Sequence, residues 1–197
     1  MKDTSDHSEA RDADADLLAR YAAGDNAAAR LLSARLSPRA FAHAFRVLGD
    51  RAEAEDVTQE AMLRLWKQAP KWDAGRAQAA TWIYRVVANL CFDRLRGQRA
   101  ETLDEVDAPA DPAPGIETRL QDSARHDALQ AALLRLPERQ RQAVVLRHIE
   151  GLANPDIAEI LDVGIEAVES LTARGKRALT ADLAAQRDAL GYDDDTT

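Results

Sequence analysis

Cysteine is almost absent from this chain: Cys91 is the only one in 197 residues. No intrachain disulfide can therefore form. The four histidines, His7, His43, His126 and His148, are scattered. None stands beside a Cys or carboxylate cluster at metal-ligand spacing, which argues against a zinc or other metal site. Aromatic residues make up only 5% of the chain and glycines number nine, while Ala, Leu, Arg, Glu and Asp dominate. That balance favours helix over strand. No run of about 18 apolar residues is present to cross a bilayer, and the N-terminus lacks the apolar segment of a secretory signal. A cytoplasmic protein without membrane insertion is expected. A basic excess is also missing, since 26 Lys and Arg face 34 Asp and Glu for a net charge of −8. Phosphate neutralisation supplies most unaided affinity for nucleic acid, so strong independent DNA binding is disfavoured unless charge is locally reversed. No Ser/His/Asp order, Gly-rich phosphate loop or paired-carboxylate pocket stands out. An enzyme is disfavoured, and no cofactor is expected.

What is present is helical periodicity in two blocks. Residues 1–13 are polar and charged without apolar periodicity and read as a disordered tail. Leu17, Leu18 and Tyr21 begin one helix, Leu31, Leu32 and Leu36 a second, and Phe41, Phe45 and Leu48 a third, punctuated by Gly24 and Pro38. Asp50 and Glu53 have capping-box spacing ahead of Val57, Ala61 and Leu65, which share one helical face. Pro70 closes that helix. A polar loop from Lys71 to Arg76 precedes another helix, from about Thr81 to Arg96. Residues 100–122 hold three prolines and many acids with little to bury, so they read as a linker between two helical units, 14–99 and 123–186. The last residues, 187–197, read as a loose tail. The chain is thus all-α: two small helical domains joined by a flexible acidic linker.

Two segments carry chemistry. Between 76 and 99 the charge reverses: Arg76, Arg85, Arg94, Arg96 and Arg99 face a single acid, Asp93. Trp82, Arg85, Asn89, Phe92, Arg96 and Arg99 step by three or four and share one side of a helix, opposite Ile83, Val86, Val87, Leu90 and Cys91. Arg neutralises phosphate, Asn pairs with base edges, and exposed rings stack on unpaired bases. The plainer alternative is a solvated cationic face with Trp82 and Phe92 as boundary packing. Cys91 reads as core rather than as a reactive thiol. In the second segment, Asn154-Pro155 starts a helix with Asn154 as its cap, Ile157, Ala158 and Leu161 face inward, and Asp162-Val163-Gly164 turn. Ile165 to about Ala185 forms a second helix, with Val168 ten residues after Ala158. Together they match a DNA-binding helix-turn-helix, although many helical hairpins share the pattern. The second helix exposes Glu166 and Glu169 first, and Arg174, Lys176 and Arg177 later.

Three stretches in order resemble a known family. AEAEDVTQEAMLRLW (52–66) resembles the polymerase-binding helix of the extracytoplasmic-function sigma factors. WDAGRAQAATWIYRVVANLCFDRLR (72–96) resembles their −10-reading segment, and residues 136–179 are similar to their −35-reading domain. The resemblance implies sigma region 2 over 14–99 and region 4 over 123–186. Asp56, Gln59, Glu60, Arg64 and Trp66 are implied to dock on the β′ clamp helices of core RNA polymerase, with the β flap held by the second domain. Arg76, Trp82, Arg85, Asn89, Phe92, Arg96 and Arg99 are implied to hold the −10 element, with a flipped base in the loop at 71–81. Glu166, Ala167, Glu169, Ser170, Arg174, Lys176 and Arg177 would face the −35 element. A cognate anti-sigma factor is the further partner implied.

The chain departs from the family pattern in places. Asp162 stands where a Gly is frequent, and Asp tolerates the left-handed conformation. Ala167-Val168-Glu169-Ser170-Leu171 replaces Thr-Val-Lys-Ser-Arg, which puts the −35 contacts in doubt. Glu169 either accepts a hydrogen bond from cytosine N4 or simply faces solvent. The linker acids Asp104, Glu105, Asp107 and Asp111 are either a plain tether or a polyanion mimic in the RNA path. The competing function is a sigma mimic that sequesters an anti-sigma factor without binding DNA. The intact basic stripe speaks against it.

Overall fold

The computed structural model describes residues 3–73, 78–101 and 117–184, with side chains from residue 13, up to residue 98 and from residue 125 at the respective helix ends. Its regular elements are helical. The first unit comprises α1 (Asp3–Ala22), α2 (Asn26–Leu48), α3 (Arg51–Gln68) and α4 (Ala79–Glu101). A short 3-10 turn, Ala69–Lys71, leads out of α3. The second unit comprises α5 (Glu117–Arg135), α6 (Glu138–Val144), a π-helical turn at Val145–Ile149, α7 (Asn154–Leu161) and α8 (Ile165–Ala184).

The central helix of the first unit is α2, which packs against α1, α3 and α4. Its Leu32, Leu36, Ala40, Ala44 and Val47 are buried, and from the other helices come Leu18, Val57, Leu65, Ile83 and Val87. Each large aliphatic side chain removed from water here contributes about 1.5–3 kcal/mol. The helix starts are built as their sequences require. Asp25 Oδ1 accepts from the Ala27 amide at 2.9 Å, and Asp50 Oδ1 accepts from the Glu53 amide at 2.8 Å. Gly49 ends α2 at φ 77°, returning its N–H to the Phe45 carbonyl.

Several boundaries differ from those expected. The stretch 1–13 is helical from Asp3 onward, because Ser, Glu, Ala, Arg and Asp extend a helix already anchored by buried Leu17 and Leu18. Pro38 does not divide two helices but lies inside α2. It sits on the exposed side, so it forfeits one backbone hydrogen bond while the buried face continues past it. The linker is shorter than 100–122, since α4 runs to Glu101 and α5 begins at Glu117. Residues 102–116, which include Asp104, Glu105, Asp107 and Asp111, lie outside the described residues, as does the tail at 187–197. The cap of α7 is Ala153 rather than Asn154. The Asn154 side chain donates instead to Glu169 Oε1 at 3.4 Å across the helix-turn-helix.

The second unit packs on the first. Tyr84 and Ala88 of α4 join Leu146, Ile157, Ile160 and Val168 in one buried cluster. Gly175 of α8 lies so close to α6 that an added Cβ would stand 2.6 Å from Val144 Cγ2. No described helix is long and apolar enough to cross a membrane.

Candidate nucleic-acid and polymerase interfaces

Three sides of α4 have three different fates. Ile83, Val87 and Leu90 enter the first unit's core, while Tyr84 and Ala88 meet the second unit. The third side carries Arg85, Asn89 and Arg96, all exposed, with Trp82 and Phe92 half-buried between them. The Arg96 guanidinium lies 5.9 Å from the Phe92 ring centre, and that of Arg139 from α6 lies 6.0 Å away. Both stand within cation–π range. Arg96 also meets Asp93 at 3.3 Å. Trp82 is held edge-on by Trp72, with centroids 5.9 Å apart at 80°. Trp72 was part of what the sequence offered only as a polar loop. A tryptophan among Lys, Asp, Gly and Arg was the available signal. Arg94 does not belong to the ridge, since it pairs with Glu53 of α3 and approaches Glu60 at 4.0 Å. Arg76 lies outside the described residues, and Arg99 is described only as part of the α4 backbone. Burial pushes the Cys91 thiol up to about 12, so it is an inert core group.

On α3, Asp56, Gln59 and Arg64 are exposed and Glu60 is half-buried, with Arg64 Nη2 2.6 Å from Glu60 Oε1. Trp66 turns towards α1, its ring 4.8 Å from that of Tyr21. Together with Phe41, Thr58, Met62 and Leu63 it lines an apolar groove of about 720 Å³ between α2 and α3. Leu63 was missed in the sequence, yet it is 51% exposed beside Gln59. Its signal was a leucine off the Val57–Ala61–Leu65 face.

The turn between α7 and α8 is made by Asp162 at φ 52°, ψ 52°. Beyond it, Glu166, Ala167, Glu169, Arg174, Lys176 and Arg177 are exposed and Ser170 is half-buried. Arg174 donates to Ser170 Oγ at 2.6 Å. Val168 and Gly175 point inward. Leu171 lines a small cleft with Asn89, Phe92 and Val163, off the side that carries Ser170, Arg174 and Arg177. Two of the departures from the family pattern thus have local partners: Glu169 with Asn154, and Leu171 with the inter-unit cleft.

Two family models match the chain in order. Sigma-70 region 2 matches residues 32–101 and Sigma-70 region 4 matches residues 126–179. The ECF RNA polymerase sigma factor SigM of Mycobacterium tuberculosis is 34% identical over 169 residues, covering 84% of this chain and 82% of its own.

The chain belongs to the ECF RNA polymerase sigma factors.

A further relative, SigW of Bacillus subtilis, is 29% identical over 71% of this chain and 80% of its own. Among solved structures, CnrH in complex with the cytosolic domain of CnrY is similar at TM-score 0.65 and 28% identity, over 88% of this chain and 98% of CnrH. The sigma factor RpoE of Bartonella quintana, solved with the anti-sigma factor NepR, shares the fold at TM-score 0.63 and 21% identity, over 80% and 98% of the two chains. The protein is therefore an alternative sigma factor, a transcription initiation factor that directs RNA polymerase to promoters. Its sigma regions imply binding to polymerase and to promoter DNA. The ridge on α4 lies within region 2, and α8 is the second helix of the region 4 helix-turn-helix.

Proposed function

We propose that this sigma factor divides its task among three helices. The face of α3 bearing Asp56, Gln59, Glu60 and Arg64, with Leu63 at its centre and Trp66 at its border, docks on the β′ clamp helices. The ridge of Trp82, Arg85, Asn89, Phe92 and Arg96, continued by Arg76 and Arg99, holds the separated −10 strand. An unstacked base enters the loop at 71–81, where it offers a ring face and a pairing edge. On α8, Ser170, Arg174 and Arg177 approach the −35 backbone with Lys176 at their flank, while Glu166, Ala167 and Glu169 lie nearer the base edges. The second unit also holds the β flap. The protein acts in the cytoplasm, performs no catalysis of its own, and is held by a cognate anti-sigma factor. The likeness to CnrH, solved with the cytosolic domain of CnrY, supports that partner.

The observation that carries this reading is the exposed cationic ridge on an otherwise acidic chain. Arg85, Asn89 and Arg96 remain open to solvent while both neighbouring sides of α4 are packed. The test is to add purified protein to core polymerase on a supercoiled promoter library and to map transcript starts. New starts are expected. Arg85→Ala should lower open-complex formation about 5- to 100-fold, in line with the loss of one contact to a single strand, and should leave core binding intact. Trp82→Ala should act in the same direction. Absence of new starts, or equal opening by the Arg85 variant, overturns the assignment.

A further inference from the structure

The start of α8 is both exposed and acidic. Glu166 and Glu169 are open to solvent, and no cation precedes Arg174 on this helix. Val168 is fully buried, which fixes how the helix is turned. At about 100° per residue, Glu166, Ser170 and Arg177 lie opposite Val168, while Glu169 lies on one flank. On that flank Asn154 Nδ2 donates to Glu169 Oε1 at 3.4 Å, a bond between residues fifteen positions apart that ties the two helices of the helix-turn-helix. Asn154 is the first residue of α7 and is followed by Pro155, so its backbone is fixed by the helix start. Glu169 Oε2 has no partner among the described residues. One carboxylate oxygen is therefore held and the other is left open.

A carboxylate only accepts hydrogen bonds, and phosphate repels it. It adds nothing to affinity for the DNA backbone, which Arg174, Lys176 and Arg177 supply further along α8. What an acid can do is choose among bases. In the major groove the donors are the amino groups of cytosine and adenine, whereas guanine and thymine present acceptors. Adenine's amino group stands between its own N7 and the thymine O4 of the pair, two acceptors that repel a carboxylate. Cytosine's amino group has one such neighbour, guanine O6, and a C–H on its other side. We infer that Glu169 is a specificity-determining residue of the −35 contact, that it takes a hydrogen bond from cytosine N4, and that Asn154 is the positioning residue that aims it. The inference rests on reading α8 as the −35 helix, whose N-terminal residues meet base edges. The repulsion that weakens binding in general is then what rejects sites lacking the cytosine.

The experiment uses the full chain with core polymerase on promoters whose −35 element is randomised, and sequences the promoters recovered in open complexes. The wild type should favour cytosine at one −35 position, by about 5- to 100-fold over guanine or thymine. Glu169→Gln, which donates as well as accepts, should move the preference at that one position to adenine. Glu169→Ala should flatten it, and should open promoters lacking that cytosine more readily than the wild type does. Asn154→Ala should weaken the cytosine preference in the direction of Glu169→Ala, with the other −35 positions and the −10 preference unaltered. A merely structural tie between the helices would behave otherwise: both variants would melt earlier and lose activity on every promoter, with the preferred bases unchanged. The inference is overturned if the Glu169 variants select the same −35 bases as the wild type, or if all positions change together. A full cytosine preference in Asn154→Ala refutes the positioning role. Failure of the underlying reading looks different, because the wild type would then open promoters with no base preference at any −35 position.

Discussion

His43 sits wholly buried beneath the Tyr84 ring, with centroids 5.6 Å apart at 80°. Neither ring nitrogen has a hydrogen-bond partner among the described residues. Burial, reinforced by the charge of Arg46, lowers its pKa to about 4 from an ordinary 6.5. The neutral ring is thus the native form. Its contribution to stability is intact above pH 6.5 and is lost as pH falls towards 4, because the unfolded chain takes up the proton first. The loss is at most about 3 kcal/mol. Thermal melts between pH 7.5 and 4.5 should show His43→Leu gaining on the wild type as pH falls, whereas parallel curves would refute this. Single residues were also the scale at which the sequence was least legible. Arg94 counts among the five cations of 76–99 without sharing their stripe, and its partner Glu53, forty-one positions earlier, could not be read from spacing. Leu63 and Trp72 passed as ordinary, because periodicity marks what is buried on one face and is silent about an apolar group left outside it.

At the scale of the helix, close approaches carry the next expectations. Gly175→Ala puts a methyl 2.6 Å from Val144 Cγ2 and 3.2 Å from the Gln140 carbonyl. It should lower stability by about 1–3 kcal/mol in calorimetry despite alanine's better helix propensity. Asp162 holds a left-handed conformation, so Asp162→Gly should preserve the melting temperature while Asp162→Val should cost about 1–2 kcal/mol. Equal melting of the two variants would mean that the turn tolerates any side chain. Most helices were legible from spacing, including both helices of the helix-turn-helix, but the start of α1, which lacks apolar periodicity, was not. Boundaries were not. Pro38 forfeits a hydrogen bond and crowds the preceding turn, yet it lies on the exposed side of α2, where buried Leu36 and Ala40 carry the helix past it. Asn154 had the right chemistry for a cap, but Glu169 lies within reach of its amide and takes it.

For the molecule as a whole, a net charge of −8 and the cationic ridge pull in opposite directions. The free protein should leave promoter duplex unshifted at about 100 mM salt, while the holoenzyme binds it, since assembly joins two weak contacts into one. A gel shift by the protein alone would contradict that balance. Two helical units with an acidic segment between them could be read from composition. Their mutual packing could not, because its partners are ordinary residues far apart, such as Tyr84 and Glu150, 66 positions distant. The packing between the two units covers Tyr84, Ala88 and the end of α2 but leaves the outer face of α3 bare. A partner that docks on α3 can therefore arrive while the two units are still packed together, so in rapid mixing its encounter rate should not depend on how they are arranged.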